Sequence, residues 1–234
     1  MRANKPSLYL YFAACSLVVI FKLLGMNSSV LYAKSAIIPL LFVYYFITNN
    51  YKISFVKALI FLFCFIGDIF NLLQFETSPL IALMSFLLVN LLLLKLALGD
   101  LNSLKFNKQD RIPIVLTLLF VLSICISVLN LQFENIVFDF SLYILYGVAS
   151  AILNFVAINN YLKKANFAFL NLMVYGVSSM ISDVFFMINK FYLPLFAFEF
   201  IQVFVQVFSY FFMVTYFISN DEYKLKIKEN EISQ

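Results

Sequence analysis

Two aspartates stand inside long apolar runs. Asp68 lies in Phe65-Ile-Gly-Asp-Ile-Phe-Asn-Leu-Leu73 and Asp183 in Met180-Ile-Ser-Asp-Val-Phe-Phe-Met-Ile188. Charged side chains within a membrane-spanning segment are costly, face the interior of the bundle and mark function more often than packing. Two carboxyl groups held close together divide into a protonated and an ionised member. Such a pair suits general acid–base chemistry, one acid giving a proton to a substrate atom while the other steadies the resulting cation or activates water. Both stretches read hydrophobic, small, Asp, β-branched, Phe. That shared pattern points to an internal duplication.

Other polar residues reach the same layer. Lys34 is one turn into the second apolar run, Asp139 starts the sixth, and Glu199 lies under two turns into the eighth. Asn71 follows Asp68 at i+3. Asp139, Tyr143, Tyr146, Ser150 and Asn154 fall at spacings of three and four, hence on one helix face, and Glu199, Gln202, Gln206 and Ser209 do the same. Gly176, Ser179 and Asp183 form a small, polar face that admits close approach of another helix. Together these residues are expected to line a cavity that opens outwards and narrows towards the cytoplasm. A plainer reading stands beside each: small residues for packing, the Gln/Ser stripe for interhelical hydrogen bonds, Lys34 as a counter-ion for Asp68, Lys22 and Lys190 snorkelling to the surface.

Residue counts remove other chemistries. The chain has no His, which excludes a Ser-His-Asp triad, a Cys-His pair and an imidazole metal site. Cys15, Cys64 and Cys125 are scattered through apolar runs with no CxxC spacing, so they read as buried thiols, with no metal expected. The five glycines form no phosphate-cradling loop, and no cofactor is expected.

The elements that must position the acids follow from hydropathy. The 234 residues are 64% hydrophobic and 12% charged, against about 25% charged in a soluble domain. Mean hydropathy is +0.96. This excludes a soluble enzyme or a disordered chain. The net charge of +4 sits in loops between apolar runs, so no nucleic-acid partner is expected. About eight runs approach the 20 or so residues of a spanning helix: 7–24, 30–47, 53–75, 79–98, 112–131, 136–159, 166–190 and 193–219. The first is expected to be a mature helix, since no small-x-small cleavage site follows it. The expected fold is all-α, a polytopic bundle of about eight transmembrane helices with a 4+4 parallel internal repeat. Residues 1–219 form one membrane domain, and 220–234 a short polar tail frayed in cytoplasmic solvent.

An even number of spans puts both termini on one side. Of the 16 Lys and Arg, thirteen fall on that side and only Lys22, Lys34 and Lys190 on the other, so both termini are expected in the cytoplasm, the protein lying in the inner (plasma) membrane. With no Trp in the chain, Tyr9, Tyr44, Tyr51, Tyr161, Tyr192 and Tyr216 are expected to form the interfacial belt. Each Asp then lies roughly 10 Å below the outer surface at 1.5 Å per residue.

Lys34-Ser-Ala-Ile-Ile-Pro39-Leu-Leu, Ala58-Leu-Ile-Phe-Leu-Phe-Cys-Phe-Ile-Gly67-Asp68 and Ser182-Asp183 with Asn189-Lys190-Phe191 together resemble the lysoplasmalogenase-like (YhhN) family of membrane proteins. The likeness runs from about the second helix to the start of the eighth. It implies an eight-helix bundle that hydrolyses the vinyl-ether bond of lysoplasmalogens to a fatty aldehyde and a glycerophospho-alcohol. It implies Asp68 and Asp183 as the two intramembrane acids and Lys34 as the lysine of the second helix. Ser35 stands where members of the family carry Pro, and Asn90 where they often carry a His-containing motif. The partners implied are a lysophospholipid-like substrate, water and the surrounding membrane lipids. Asp183 is then the proton donor and Asp68, held ionised by Lys34, the stabiliser of the cation, though the roles can be exchanged. Asn71, Tyr143, Ser179, Glu199 and Gln202 support the substrate's polar end, and its chain lies among Phe and Leu. The alternatives from residues alone are a non-enzymatic transporter of small solutes or lipids, and a lipid-sensing membrane protein.

Overall fold

The computed structural model describes residues 5–73, 75–102, 111–129 and 140–232. Among them every regular element is a helix: α1 (Lys5–Leu23), α2 (Asn27–Ser35), α3 (Ile37–Thr48), α4 (Phe55–Leu72), α5 (Ser78–Asn102), α6 (Arg111–Leu129), α7 (Phe140–Lys163), α8 (Phe167–Phe191) and α9 (Phe196–Ile232). Seven segments are long and apolar enough to cross a membrane, α2 and α3 counting as one, and α6 adds a shorter apolar stretch over Ile112–Ile124. The chain is thus a helical bundle of an integral membrane protein.

Local chemistry sets several boundaries. Pro39 has no N–H to offer the Ser35 carbonyl, and the second span breaks at Ala36, one turn before it. Gly25, with φ of +70°, turns the chain after α1. Asn166 caps α8, its side chain accepting a hydrogen bond from the Ala168 amide at 3.1 Å. The outer face is as greasy as the inside, with Phe55, Ile112 and Tyr32 largely exposed. Lipid offers no hydrophobic penalty to such a face, so the bundle is held by packing and interior polar pairs.

Helix α9 is the post against which much of the bundle packs, touching α8, α3 and α1. Tyr11 of α1 donates to the Val207 carbonyl at 2.6 Å. The final turns of α9 correct the expectation of a frayed tail. Asn220 is buried, and Asp221 accepts from Lys57 at 2.6 Å and from Tyr45 at 3.0 Å. Asp100 of α5 gathers Tyr216 at 2.7 Å, Asn220 at 3.0 Å and Lys224 at 2.8 Å. Helix formation continues because these pairs tie the polar end of α9 to α3, α4 and α5. Tyr216 is buried in this network, so it does not join an interfacial belt. Lys22 likewise does not snorkel: it is 8% exposed and paired with Glu199.

Asp221→Ala leaves the buried Lys57 ammonium without its carboxylate, and is expected to destabilise the bundle by about 2–3 kcal/mol. Thermal denaturation in detergent reads the effect, and an unchanged midpoint would show that this pair does not hold α9.

Candidate functional site

Asp68 sits near the end of α4 and is 1% exposed. Its Oδ1 faces three donors: Lys34 Nζ at 3.0 Å, the Tyr210 hydroxyl at 2.9 Å and Gln206 Nε2 at 3.1 Å. Lys34, also 1% exposed, donates to Gln206 Oε1 at 2.8 Å. The Gln206 amide is therefore fixed in orientation, its oxygen on the lysine and its nitrogen on the aspartate. The break at Ala36 matters here. It ends α2 just after Lys34, and the C-terminal end of a helix favours a cation.

Asp183 is placed otherwise. It is half-buried on α8, and its Oδ2 accepts from the Tyr146 hydroxyl of α7 at 2.8 Å. Asn90 of α5 is the next polar neighbour of that hydroxyl. It is 3% exposed. Among the described residues no lysine or arginine forms an ion pair with Asp183.

Two cavities meet at this aspartate. The smaller and more polar one, of about 70 Å³, lies between α4, α5, α7, α8 and α9; Asn71, Lys190, Gln202 and Gln206 line it together with Leu83, Phe86 and other apolar side chains that make up most of its wall. An apolar one of about 380 Å³ lies between α6, α7 and α8, with Leu118, Leu122, Gly147, Met180 and Val184 in its walls. Tyr143, Tyr146, Asp183 and Met187 line both. Water fits a polar cavity of the smaller size, and a ligand's apolar part fits the larger. A carboxyl at such a junction can exchange a proton with a group that has one foot in each compartment.

The two aspartates share neither of these two cavities. Asp68 is not among the residues lining either cavity. It reaches the polar one through Gln206, which both binds it and forms part of that wall. Of the supporting residues expected from sequence, Asn71, Tyr143 and Gln202 line the polar cavity, and Asn90 stands beside Tyr146. Lys34 is the partner of Asp68. Ser179 neighbours Tyr175. Glu199 is drawn away to Lys22 of α1. Asp139 lies outside the described residues. Cys15 and Cys64 are buried free thiols. Among the described residues no three His, Cys, Asp or Glu converge as metal ligands.

Gln206 and Tyr146, expected from sequence only as members of polar stripes, bind the two aspartates directly, and Tyr210, absent from the expected set, joins Gln206 on Asp68. The signal was their register: each falls on the same face as a residue that was chosen. The small face of α8 does admit a close neighbour. A Cβ added to Gly176 would stand 2.8 Å from Asn154 Oδ1 of α7. Gly176→Ala is therefore expected to displace Asn154 and destabilise by about 1–3 kcal/mol. A melting temperature at or above that of the parent would show slack at the α7–α8 contact.

Comparison of the chain with protein families, with characterised proteins and with solved structures finds no match.

Proposed function

We propose that the protein is an intramembrane hydrolase of single-chain alkenyl-ether lysolipids, the activity that its resemblance to lysoplasmalogenase-like proteins implies. One observation carries this reading: Asp183, which forms no ion pair among the described residues, stands where a small cavity with several polar side chains in its wall meets an apolar one. The vinyl-ether bond of such a lipid is itself a junction, with a hydrocarbon chain on one side and a glycerol oxygen on the other.

Asp183 gives its proton to the alkene carbon next to the ether carbon, and the ether carbon becomes an oxocarbenium ion. The Asp183 carboxylate then faces that cation. Water from the polar cavity adds to the ether carbon and returns a proton to Asp183. The hemiacetal collapses, the bond to glycerol breaks, and aldehyde and glycerophospho-alcohol leave. Asp68 is a positioning residue in this scheme. With Lys34 and Tyr210 it fixes Gln206, whose amide orients the water. Asn71, Tyr143 and Gln202 surround the glycerol end.

The proposal includes a 4+4 parallel repeat and both termini on the cytoplasmic side of the plasma membrane. The pattern of helix contacts supports the repeat. The α2–α4 contact has its counterpart in α7–α8, α4–α5 in α8–α9, α3–α9 in α5–α7, and α1–α2 in α6–α7. The polar groups follow the same correspondence. Asp68 takes Lys34 from the preceding span and Gln206 from the last span of the other half, and Asp183 takes Tyr146 from the preceding span with Asn90, from the last span of the other half, beside that hydroxyl, a correspondence that supports the repeat. One copy carries a lysine on its acid and the other a phenol, a difference that leaves the second acid available for chemistry.

The break at Ala36 favours a second reading, a transporter, because broken spans build solute sites in such proteins. Its counterpart α7 runs unbroken from Phe140 to Lys163, which leaves the break to serve Lys34 alone. The test is purified protein in liposomes given a 1-alkenyl lysolipid and its saturated 1-alkyl analogue. Aldehyde is expected from the alkenyl lipid only. Absence of aldehyde, with solute flux present, would replace the hydrolase by the transporter.

A further inference from the structure

We infer that the cleft between α6, α7 and α8 is a binding groove for one hydrocarbon chain, entered sideways from the bilayer, with the polar end of the ligand at Asp183. This deepens the hydrolase reading and rests on it for the identity of the polar end. The groove borders the smaller, more polar cavity, and Tyr143, Tyr146 and Asp183 line both. Its occupant is therefore apolar along its length and polar at one terminus. The buried Asn90 stands beside Tyr146 at that terminus and adds a polar side chain there.

The far end is open to lipid. Leu118 and Leu122 of α6 and Ile144, Val148 and Ile152 of α7 line the groove and are each more than a third exposed. Among the described residues helix α6 packs mainly on α7. From Tyr146 to Phe155, both in the lining, the groove follows α7 for about 13 Å at 1.5 Å per residue. In the orientation proposed above it descends from the outer leaflet towards the bilayer centre, the direction a chain of an outer-leaflet lipid takes. A volume of about 380 Å³ lies at the lower end of the range for small-molecule pockets, which suits one chain and leaves no room for two.

Gly147 makes the inference testable. It lines the groove, and a Cβ placed on it meets nothing within 4 Å. A side chain added there starts free of any neighbour and extends from the groove's wall. The experiment uses the full chain in nanodiscs of diacyl phosphatidylcholine. The probe is a 1-alkyl lysolipid, a saturated ether that cannot be hydrolysed, with a diazirine at the end of its chain. Photolabelled peptides are mapped by mass spectrometry. Label is expected on α6 and α7 at the groove, in excess over α1 and α4. Gly147→Phe is expected to cut that label about tenfold, the equivalent of roughly two displaced methylenes. Ala151→Phe, in the same wall, serves if the first variant does not fold. Label spread evenly round the perimeter, label unchanged by either substitution, or equal competition by added diacyl lipid would overturn the groove. Because the probe is inert to hydrolysis, groove labelling without aldehyde release from the alkenyl lipid would sink the hydrolase and keep the groove, and the reverse pattern would do the opposite.

Discussion

Asp183→Asn is expected to slow aldehyde release from an alkenyl lysolipid by about 10²- to 10⁴-fold, the usual contribution of a positioned general acid. The same substitution is expected to move the melting temperature by no more than about 2 °C. The two expectations come from the same geometry. Among the described residues Asp183 accepts a single hydrogen bond, from Tyr146, and an Asn carbonyl can accept it as well. No ion pair is broken, because among the described residues none is formed. The amide fills nearly the same volume at the junction of the two cavities, yet cannot give a proton to carbon. A structural role for Asp183 would give the opposite pattern, with stability falling and activity falling only in proportion. Measuring release and thermal midpoint on the same preparation separates the two.

Lys34→Met is expected to destabilise the protein by about 3–5 kcal/mol, or roughly 10 °C in melting temperature, because it leaves an unpaired buried carboxylate. Asp68 is as buried as Lys34, and its Oδ2 already has no hydrogen-bond partner. Removing the lysine also frees Gln206 Oε1, so the amide that lines the polar cavity loses its fixed orientation. Adding Asp68→Asn to Lys34→Met removes the uncompensated charge and is expected to recover most of the stability, since neutral replacement of a buried pair is often tolerated. Activity is not expected to return with it, because Gln206 remains unanchored. A Lys34→Met protein as stable as the parent would contradict the buried pair. Full activity in the stable double variant would remove Gln206 and Asp68 from the mechanism.

Much of the bundle could be read in advance because membrane spans announce themselves by hydropathy alone. The break at Ala36 was foreshadowed by Pro39, but its use, ending a helix beside Lys34, depends on where α4 packs. The pairing of Lys34 with Asp68 was anticipated because a buried cation and a buried acid in one layer have few other partners. The fate of Glu199 was not, because helical register fixes a face but not which helix that face meets. Depth placed it with the acids, while packing gave it to Lys22 of α1. The same limit explains the end of α9. Polarity from Asn220 onward read as solvent exposure, whereas Lys57 and Asp100 were waiting on neighbouring helices to pair with it. The apolar groove left no mark in the sequence, since a residue lining a cleft and one facing lipid are both Leu, Ile or Val.

The central claim is that Asp183 protonates the alkene carbon of a vinyl ether. Its most direct test is the appearance of aldehyde in D₂O, followed by mass, from liposomes carrying the parent or the Asp183→Asn protein at equal folded amounts. The parent is expected to release aldehyde bearing one deuterium on the carbon next to the carbonyl, and the variant none above the lipid alone. Singly deuterated aldehyde released equally fast by both proteins would contradict the account.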